Sequence, residues 1–261
     1  MLRLHWASLF TRIQIVKDTT SKLSGAWVAA RAWPEVEKRI QSGAIAILPV
    51  GAAAKEHGRH LPLNTDQLQA EWLAARLIEK ANVLVWPTLT YGHYPAFTDY
   101  PGSCSLSVPT FEKLVEETLQ SILGSGIKSA LILNTGISTI APIERVIARM
   151  GNRVRLANVY QGPRYLKAEE KIKQQSRGSH ADELETSVML AIAPEKVDMS
   201  KAAPWAKREM QSGKLVKNDP SHPNYSPDGV YGDPTLATKA KGERLLAAML
   251  EDVMDAIVKC D

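Results

Sequence analysis

Residues 44–51 read Ala-Ile-Ala-Ile-Leu-Pro-Val-Gly, and shortly behind them, at 55–66, stands Lys-Glu-His-Gly-Arg-His-Leu-Pro-Leu-Asn-Thr-Asp. The first stretch is an apolar run bounded by glycine, too short for a helix, and reads as a buried strand. The second is a dense polar loop. At Asp66 a new periodicity starts: Leu68, Trp72, Leu73, Ala75 and Leu77 fall roughly on one helical face, with Asp66 as the N-cap or just before it.

This strand, loop and helix decide the fold because the pattern recurs. Residues 83–86 read as a second strand, stopped by Pro87, and a loop rich in Gly, Pro and Tyr follows to Val108. Pro109 suits the first turn of a helix to about residue 123, ended by Gly124 and Gly126. Residues 127–133 form a third strand, 141–150 a helix and 154–159 a fourth strand. Such alternation predicts an α/β chain of βαβ units around a mainly parallel sheet covered on both faces. Ligands of these sheets bind beyond the carboxyl ends of the strands, so the loops after Val50, Pro87, Leu133 and Val159 are the candidate site loops.

Further along, a long polar loop leads to Asp182 and a helix over 183–192, closed by Pro194. Residues 204–234 are rich in Pro, Gly, Asn and Asp and read as an irregular excursion. The last helix, 241–259, carries Leu245, Leu246, Met249, Leu250, Val253, Met254, Ile257 and Val258 as a core-facing stripe. Residues 1–26 read as a poorly ordered extension and 27–261 as one domain. Arg12, Gln14, Lys17 and Asp18 interrupt any apolar core of a signal peptide.

Composition narrows the function. The 261 residues can bury one sizeable core. A net charge of +4 from scattered basic residues lacks the concentrated stripe of a nucleic-acid binder. No apolar run approaches the roughly 20 residues of a membrane span. Two isolated cysteines, Cys104 and Cys260, make neither a disulfide framework nor a thiolate cluster, and suit free thiols in a reducing cytoplasm.

The chemistry clusters in four places. The loop at 55–66 offers two imidazoles and two carboxylates, donors that suit Zn²⁺, Mn²⁺ or Fe²⁺; its bland reading is a polar loop with a helix cap. His180-Ala181-Asp182-Glu183-Leu184-Glu185 joins a loop to a helix, where Glu185 also suits the helix dipole. Tyr91-Gly92-His93-Tyr94 after the second strand can wall a small-molecule pocket or simply pack as a loop. Asn134-Thr135-Gly136-Ile137-Ser138, between strand and helix, can meet an anion at the helix start. It lacks the Gly-Lys-Ser/Thr ending of a phosphate loop, and the Gly-x-Ser-x-Gly spacing that would make Ser138 a nucleophile.

In this order the segments resemble a known family. Leu48-Pro49-Val50-Gly51 with Glu56-His57-Gly58-x-His60-Leu61-Pro62-Leu63-x-Thr65-Asp66 looks like the first signature of the creatininase (creatinine amidohydrolase) family. Tyr91-Gly92 with Pro101-Gly102-Ser103 is similar to its second, and His180-Ala181-x-x-Leu184-Glu185-Thr186-Ser187 to its third. Gly229-Val230-Tyr231-Gly232-Asp233-Pro234 resembles its C-terminal pattern. The resemblance implies a three-layer α/β/α fold and hydrolysis of cyclic or linear amide C–N bonds with one or two divalent metals. It implies His57 and Asp66 as metal ligands, Asp66 as a bridge between two ions, and Glu185 completing the site with Glu56. It places His180 beside the substrate, where His180 or a metal-ligand carboxylate would carry the proton; Tyr91, His93 and Ser138 are read as lying along the substrate. It also implies a homo-oligomer, often a hexamer; exposed Trp or Tyr in the 204–234 excursion would suit that interface.

Two departures stand out. The family sets its first glutamate two residues before the first histidine, whereas Glu56 is adjacent to His57 after an apparent one-residue insertion. Its Asn-Gly-His after the third strand, whose histidine binds metal, is here Asn134-Thr135-Gly136, leaving His93 or His60 as substitutes. Two readings follow: a metal-dependent amidohydrolase, or a binding or structural protein on the same fold with a degraded metal site.

Overall fold

The computed structural model describes residues 24–206, 209–211 and 213–260. The expected N-terminal extension lies almost wholly outside the described residues. Five parallel strands form one sheet: β1 (Ala26–Trp27), β2 (Ile45–Val50), β3 (Val83–Val85), β4 (Ala130–Asn134) and β5 (Val154–Asn158), in the order β1-β3-β2-β4-β5. The helices are α1 (Trp33–Gln41), α2 (Thr65–Lys80), α3 (Val108–Gly124), α4 (Ile140–Met150), α5 (Pro163–Ile172), α6 (Glu183–Ile192) and α7 (Lys239–Val258). The three-layer α/β/α arrangement matches the expectation.

Alternation of side chains across each strand builds two cores. Ile45 and Ile47, with Leu131 and Leu133, face α2, α6 and α7, where Leu73, Leu77, Val188, Leu245 and Met249 meet them. Ala46, Leu48 and Val50, with Ala130 and Ile132, face α3 and α4 through Phe111, Val115, Leu119, Ile143 and Val146. With both faces covered, all six residues of β2 are buried, hence the unbroken apolar run in sequence. The chain leaves β2 for β3 on one side and returns to β4 on the other. That reversal sets the carboxyl ends of β2 and β4 at a switch point, where the loops after them diverge.

Several expectations shift. β1 and α1 were not foreseen: β1 is two residues long, and α1 buries none of its side chains fully. The loop before Asp182 contains α5, whose only fully buried side chain is Tyr165 and whose apolar signal is correspondingly weak. Asp66 neither caps α2 nor precedes it. The helix begins at Thr65, and the Asp66 side chain turns from the helix end to a buried ion pair. On α7, Leu245, Leu246, Met249, Val253 and Ile257 are buried, but Val258 is 68% exposed, because the last turn passes the edge of the core. Trp205 and Tyr225 of the excursion are not free for an interface; they pack edge to face at 5.4 Å, and the Trp205 indole donates to the Tyr225 carbonyl. Among the described residues no helix is long and apolar enough to cross a membrane.

The closest helix crossing, α6 on α7, depends on Gly242. A Cβ there would overlap the Ser187 carbonyl oxygen and come within 3.0 Å of the Ala191 methyl. Gly→Ala in an open helix interior stabilises by about 0.5–1 kcal/mol. At this site Gly242→Ala is expected to destabilise by about 1–3 kcal/mol instead, since the helices must part. The urea midpoint at unchanged slope measures it, and a midpoint at or above wild type would refute the packing argument.

Candidate functional site

The polar loop after β2 turns inward. His57 and Asp66 are fully buried, and Lys55, Glu56 and His60 nearly so. Two devices bring it there. A Cβ on Gly51 would press on the Asp66 backbone and on Thr135 Oγ1, so only glycine lets β2 pass so close to the start of α2. The Thr135 hydroxyl, just past β4, lies 3.1 Å from the Val50 carbonyl and 3.0 Å from that of Asp66. The ends of β2 and β4 and the first turn of α2 therefore meet at one point.

On this point the first group is assembled. The Lys55 carbonyl lies 2.8 Å from His57 Nδ1; a carbonyl only accepts, so Nδ1 carries the proton. The other ring nitrogen, Nε2, faces Asp66 Oδ1 at 3.1 Å and Glu185 Oε1 at 3.6 Å. The second Asp66 oxygen, Oδ2, pairs with Lys55 Nζ at 2.7 Å. Burial opposes charge on both partners. It is outweighed at Lys55 by Asp66, Glu185 and Glu56, which raise the ammonium pKa. At Asp66 it is outweighed by Lys55 and His57, which hold the carboxyl well below the usual carboxylate range.

The second group is His180 with Glu56. His180 Nε2 lies 3.1 Å from Glu56 Oε2, and the amide of Gly58 donates to Glu56 Oε1. Gly229 makes room, since a Cβ there would overlap the Glu56 carboxylate. Burial works against the His180 charge, but the Glu56 charge and hydrogen bond outweigh it and raise its pKa. The same contacts, with the Gly58 amide, overcome burial at Glu56 and hold it down. The Phe97 ring covers His180 at 4.3 Å between centroids. Asp182 caps α6 by accepting from the amides of Leu184 and Glu185. Ala181, held at φ 47°, donates its amide to Glu185 Oε2 at 2.7 Å, which leaves Oε1 turned toward His57.

Ligand atoms of His57, His180 and Glu185 lie within 4.8 Å of one another, and Asp66 joins them through His57. Glu56, expected at the metal, has both oxygens engaged by His180 and Gly58. His60 bonds Thr186 Oγ1 at 2.9 Å through Nε2, and its Nδ1 is buried without a partner. Of the residues expected along the substrate, Tyr91 is exposed. The His93 ring is tied to the Leu106 carbonyl and the Ser138 hydroxyl donates to the His93 carbonyl, so these two staple the loops after β3 and β4. Lys55, Phe97 and the buried, unpartnered hydroxyl of Tyr94 belong to the site without having been singled out. Their signal was weak, because an apolar or cationic side chain in a polar loop looks incidental. Two surface grooves, lined by Val154, Arg155 and Asp252 and by Trp27, Glu71 and Thr88, do not reach these groups.

The donors fit one divalent ion. His57 Nε2, Asp66 Oδ1 and Glu185 Oε1 are all acceptors, and both carboxylates stand against the same buried imidazole nitrogen, which calls for a cation there. Ligands bound at 2.0–2.2 Å in a tetrahedron sit about 3.4 Å apart, close to the 3.1 and 3.6 Å seen here. A second ion on Asp66 does not fit, because Lys55 holds the remaining oxygen.

Comparison with known proteins agrees with this architecture. Residues 29–257 match the creatininase family model, described as creatinine amidohydrolase. The chain is 25% identical over 251 residues to a creatinine amidohydrolase of Pseudomonas putida, covering 88% of this chain and 95% of that one. It is 29% identical over 224 residues to a mycofactocin precursor peptide peptidase of Mycolicibacterium smegmatis, covering 81% and 83%. Among solved structures, a Zn-Zn form of a mutant creatininase superposes with a TM-score of 0.74 at 22% identity, covering 89% and 97%.

Burial pushes the His60 imidazole down to about 4. A histidine lowered in the fold takes up its proton first in the unfolded chain, so stability falls as pH drops from about 6.5 toward 4. His180, which Glu56 raises, is common to wild type and variant. Asp182, which burial pushes up, works the other way but is common to wild type and variant. Urea midpoints at several pH values in that window are expected to decline less steeply in His60→Gln than in wild type. Parallel declines would show that His60 is not held neutral.

Proposed function

The chain belongs to the creatininase family, and from that premise we propose that it is a metal-dependent hydrolase cleaving an amide C–N bond of a small cyclic or linear substrate. The carrying observation is that Asp66 Oδ1 and Glu185 Oε1 both stand against His57 Nε2, with His180 of the His180–Glu56 pair in the same cluster. His57, Asp66 and Glu185 would hold a single zinc, manganese or iron ion. When bound, such an ion supplies Lewis acidity toward a carbonyl oxygen and a water of lowered pKa.

The chain's own residues do the rest. Lys55 fixes the His57 tautomer through its carbonyl, so that Nε2 is free to bind. Ala181 fixes one Glu185 oxygen and aims the other. His180, favoured in its protonated form by Glu56, is placed to give a proton to the leaving nitrogen and to recover one afterwards. Phe97 shields that pair from water. The free Tyr94 hydroxyl offers a hydrogen bond to a polar group of the substrate. The competing reading, a binding protein with a degraded site, takes its support from Gly136, which supplies no imidazole after β4.

The test is a panel of lactams, formamides, linear amides and short peptides, assayed with Zn²⁺, Mn²⁺ and Fe²⁺ added separately. His180→Asn is expected to lower kcat about 10²-fold or more with metal content unchanged. His57→Asn is expected to lose metal and activity together. Full activity in His180→Asn would refute its proton-carrying role, and no turnover anywhere on the panel would favour the binding protein.

A further inference from the structure

We propose that the Lys55 ammonium is a resident cation of this site, standing on Asp66 where a second metal ion would otherwise bridge, so that the protein takes one divalent ion and not two. The inference rests on the reading above that His57, Asp66 and Glu185 hold an ion, and it concerns the other side of the same carboxylate.

Geometry carries it. Asp66 divides its oxygens: Oδ1 serves His57 at 3.1 Å and Oδ2 serves Lys55 Nζ at 2.7 Å. Both side chains of the ion pair are buried, at 7% and 0% exposure, so water cannot exchange for either partner. The ammonium is also walled in, 5.0 Å from the centre of the Phe97 ring and 5.8 Å from that of Tyr94, both of which favour a cation at their faces. The backbone amide of Lys55 donates to the Leu63 carbonyl and its carbonyl accepts from His57, so the residue is pinned at both ends of its peptide unit.

Charge agrees with geometry. Glu56, Asp66 and Glu185 bring three carboxylates into one buried cluster. One ammonium and one divalent ion already offset all three, before the proton that Glu56 favours on His180 is counted. A second divalent ion would leave excess positive charge in a dry place, at a cost of several kcal/mol. Glu56 is engaged by His180 and Gly58, and the turn after β4 presents Gly136 and a Ser138 hydroxyl that donates to the His93 carbonyl.

The experiment counts metal. Full-length protein is stripped with chelator, titrated with Zn²⁺ or Mn²⁺ alone, desalted and analysed for metal per chain by mass spectrometry. Wild type is expected to hold one ion. Lys55→Arg keeps a cation and is expected to hold one; Lys55→Glu replaces the cation by a ligand and is expected to approach two. Two ions in wild type, or an unchanged count in Lys55→Glu, would overturn the proposal while leaving the metal-dependent reading intact. None in wild type but one in Lys55→Glu would support the resident cation and sink the metal-dependent reading instead. Should Lys55→Glu fail to fold, Lys55→Gln takes its place: a count above wild type supports the proposal and an unchanged count overturns it.

Discussion

The carboxylate of Asp66 is the constraint on which the site depends. It is fully buried in the first turn of α2, and a lone carboxylate in that position would be costly to keep ionised. The helix start offers part of the compensation through its dipole. The larger part comes from Lys55 and His57, which reach it from the loop between β2 and α2. Because both arms of that loop hold the same carboxylate, residues 55–57 cannot lie on the surface. Thr135 then ties the Asp66 backbone to β2 from the end of β4, so the electrostatic centre and the switch point of the sheet are the same place.

The other half of the site comes from the C-terminal portion of the chain, where the main sheet offers no support. His180 bridges to Tyr231 through backbone hydrogen bonds in both directions, and Gly229 packs on Glu56. The excursion after α6 is therefore what presses His180 and Glu56 together. Ala181 at φ 47° is the local cost, about 1–2 kcal/mol for a residue with a Cβ. In return its amide fixes one oxygen of Glu185 and points the other at His57. Backbone strain at this residue couples the two groups that would otherwise be independent.

Much of this was legible in the residues. Unbroken apolar runs at β2 and β4 follow directly from burial on both faces, and the polar stretch behind β2 is dense enough to mark the site. Elements that bury little, α1, α5 and the two-residue β1, leave no such signal, because they are too short or too poor in apolar residues to stand out. Within the site, the pairing of side chains could not be read from order along the chain. Glu56 neighbours His57 in sequence, yet its carboxylate pairs with His180, 124 residues away. Lys55 carries no mark of its own in that polar stretch. Its burial is a consequence of Asp66, which lies eleven positions on, and nothing local announces it.

The missing imidazole at the β4 turn bears on the same carboxylate. A second ion beside Asp66 would require its free oxygen and further ligands from neighbouring loops. The turn after β4 offers none, since Asn134, Gly136 and Thr139 hydrogen-bond among themselves, and a Cβ on Gly136 would already crowd the Thr139 hydroxyl. Tyr94 packs beside that glycine and toward the Lys55 ammonium, so aromatic surface stands near the point an imidazole would have to enter. An ammonium needs no such ligands: it arrives on its own chain, already tethered, and one carboxylate oxygen and two ring faces suffice to hold it. A β4 turn without an imidazole and a cation at Lys55 therefore suit one another, because the buried Asp66 oxygen has a positive partner that draws no ligand from that turn.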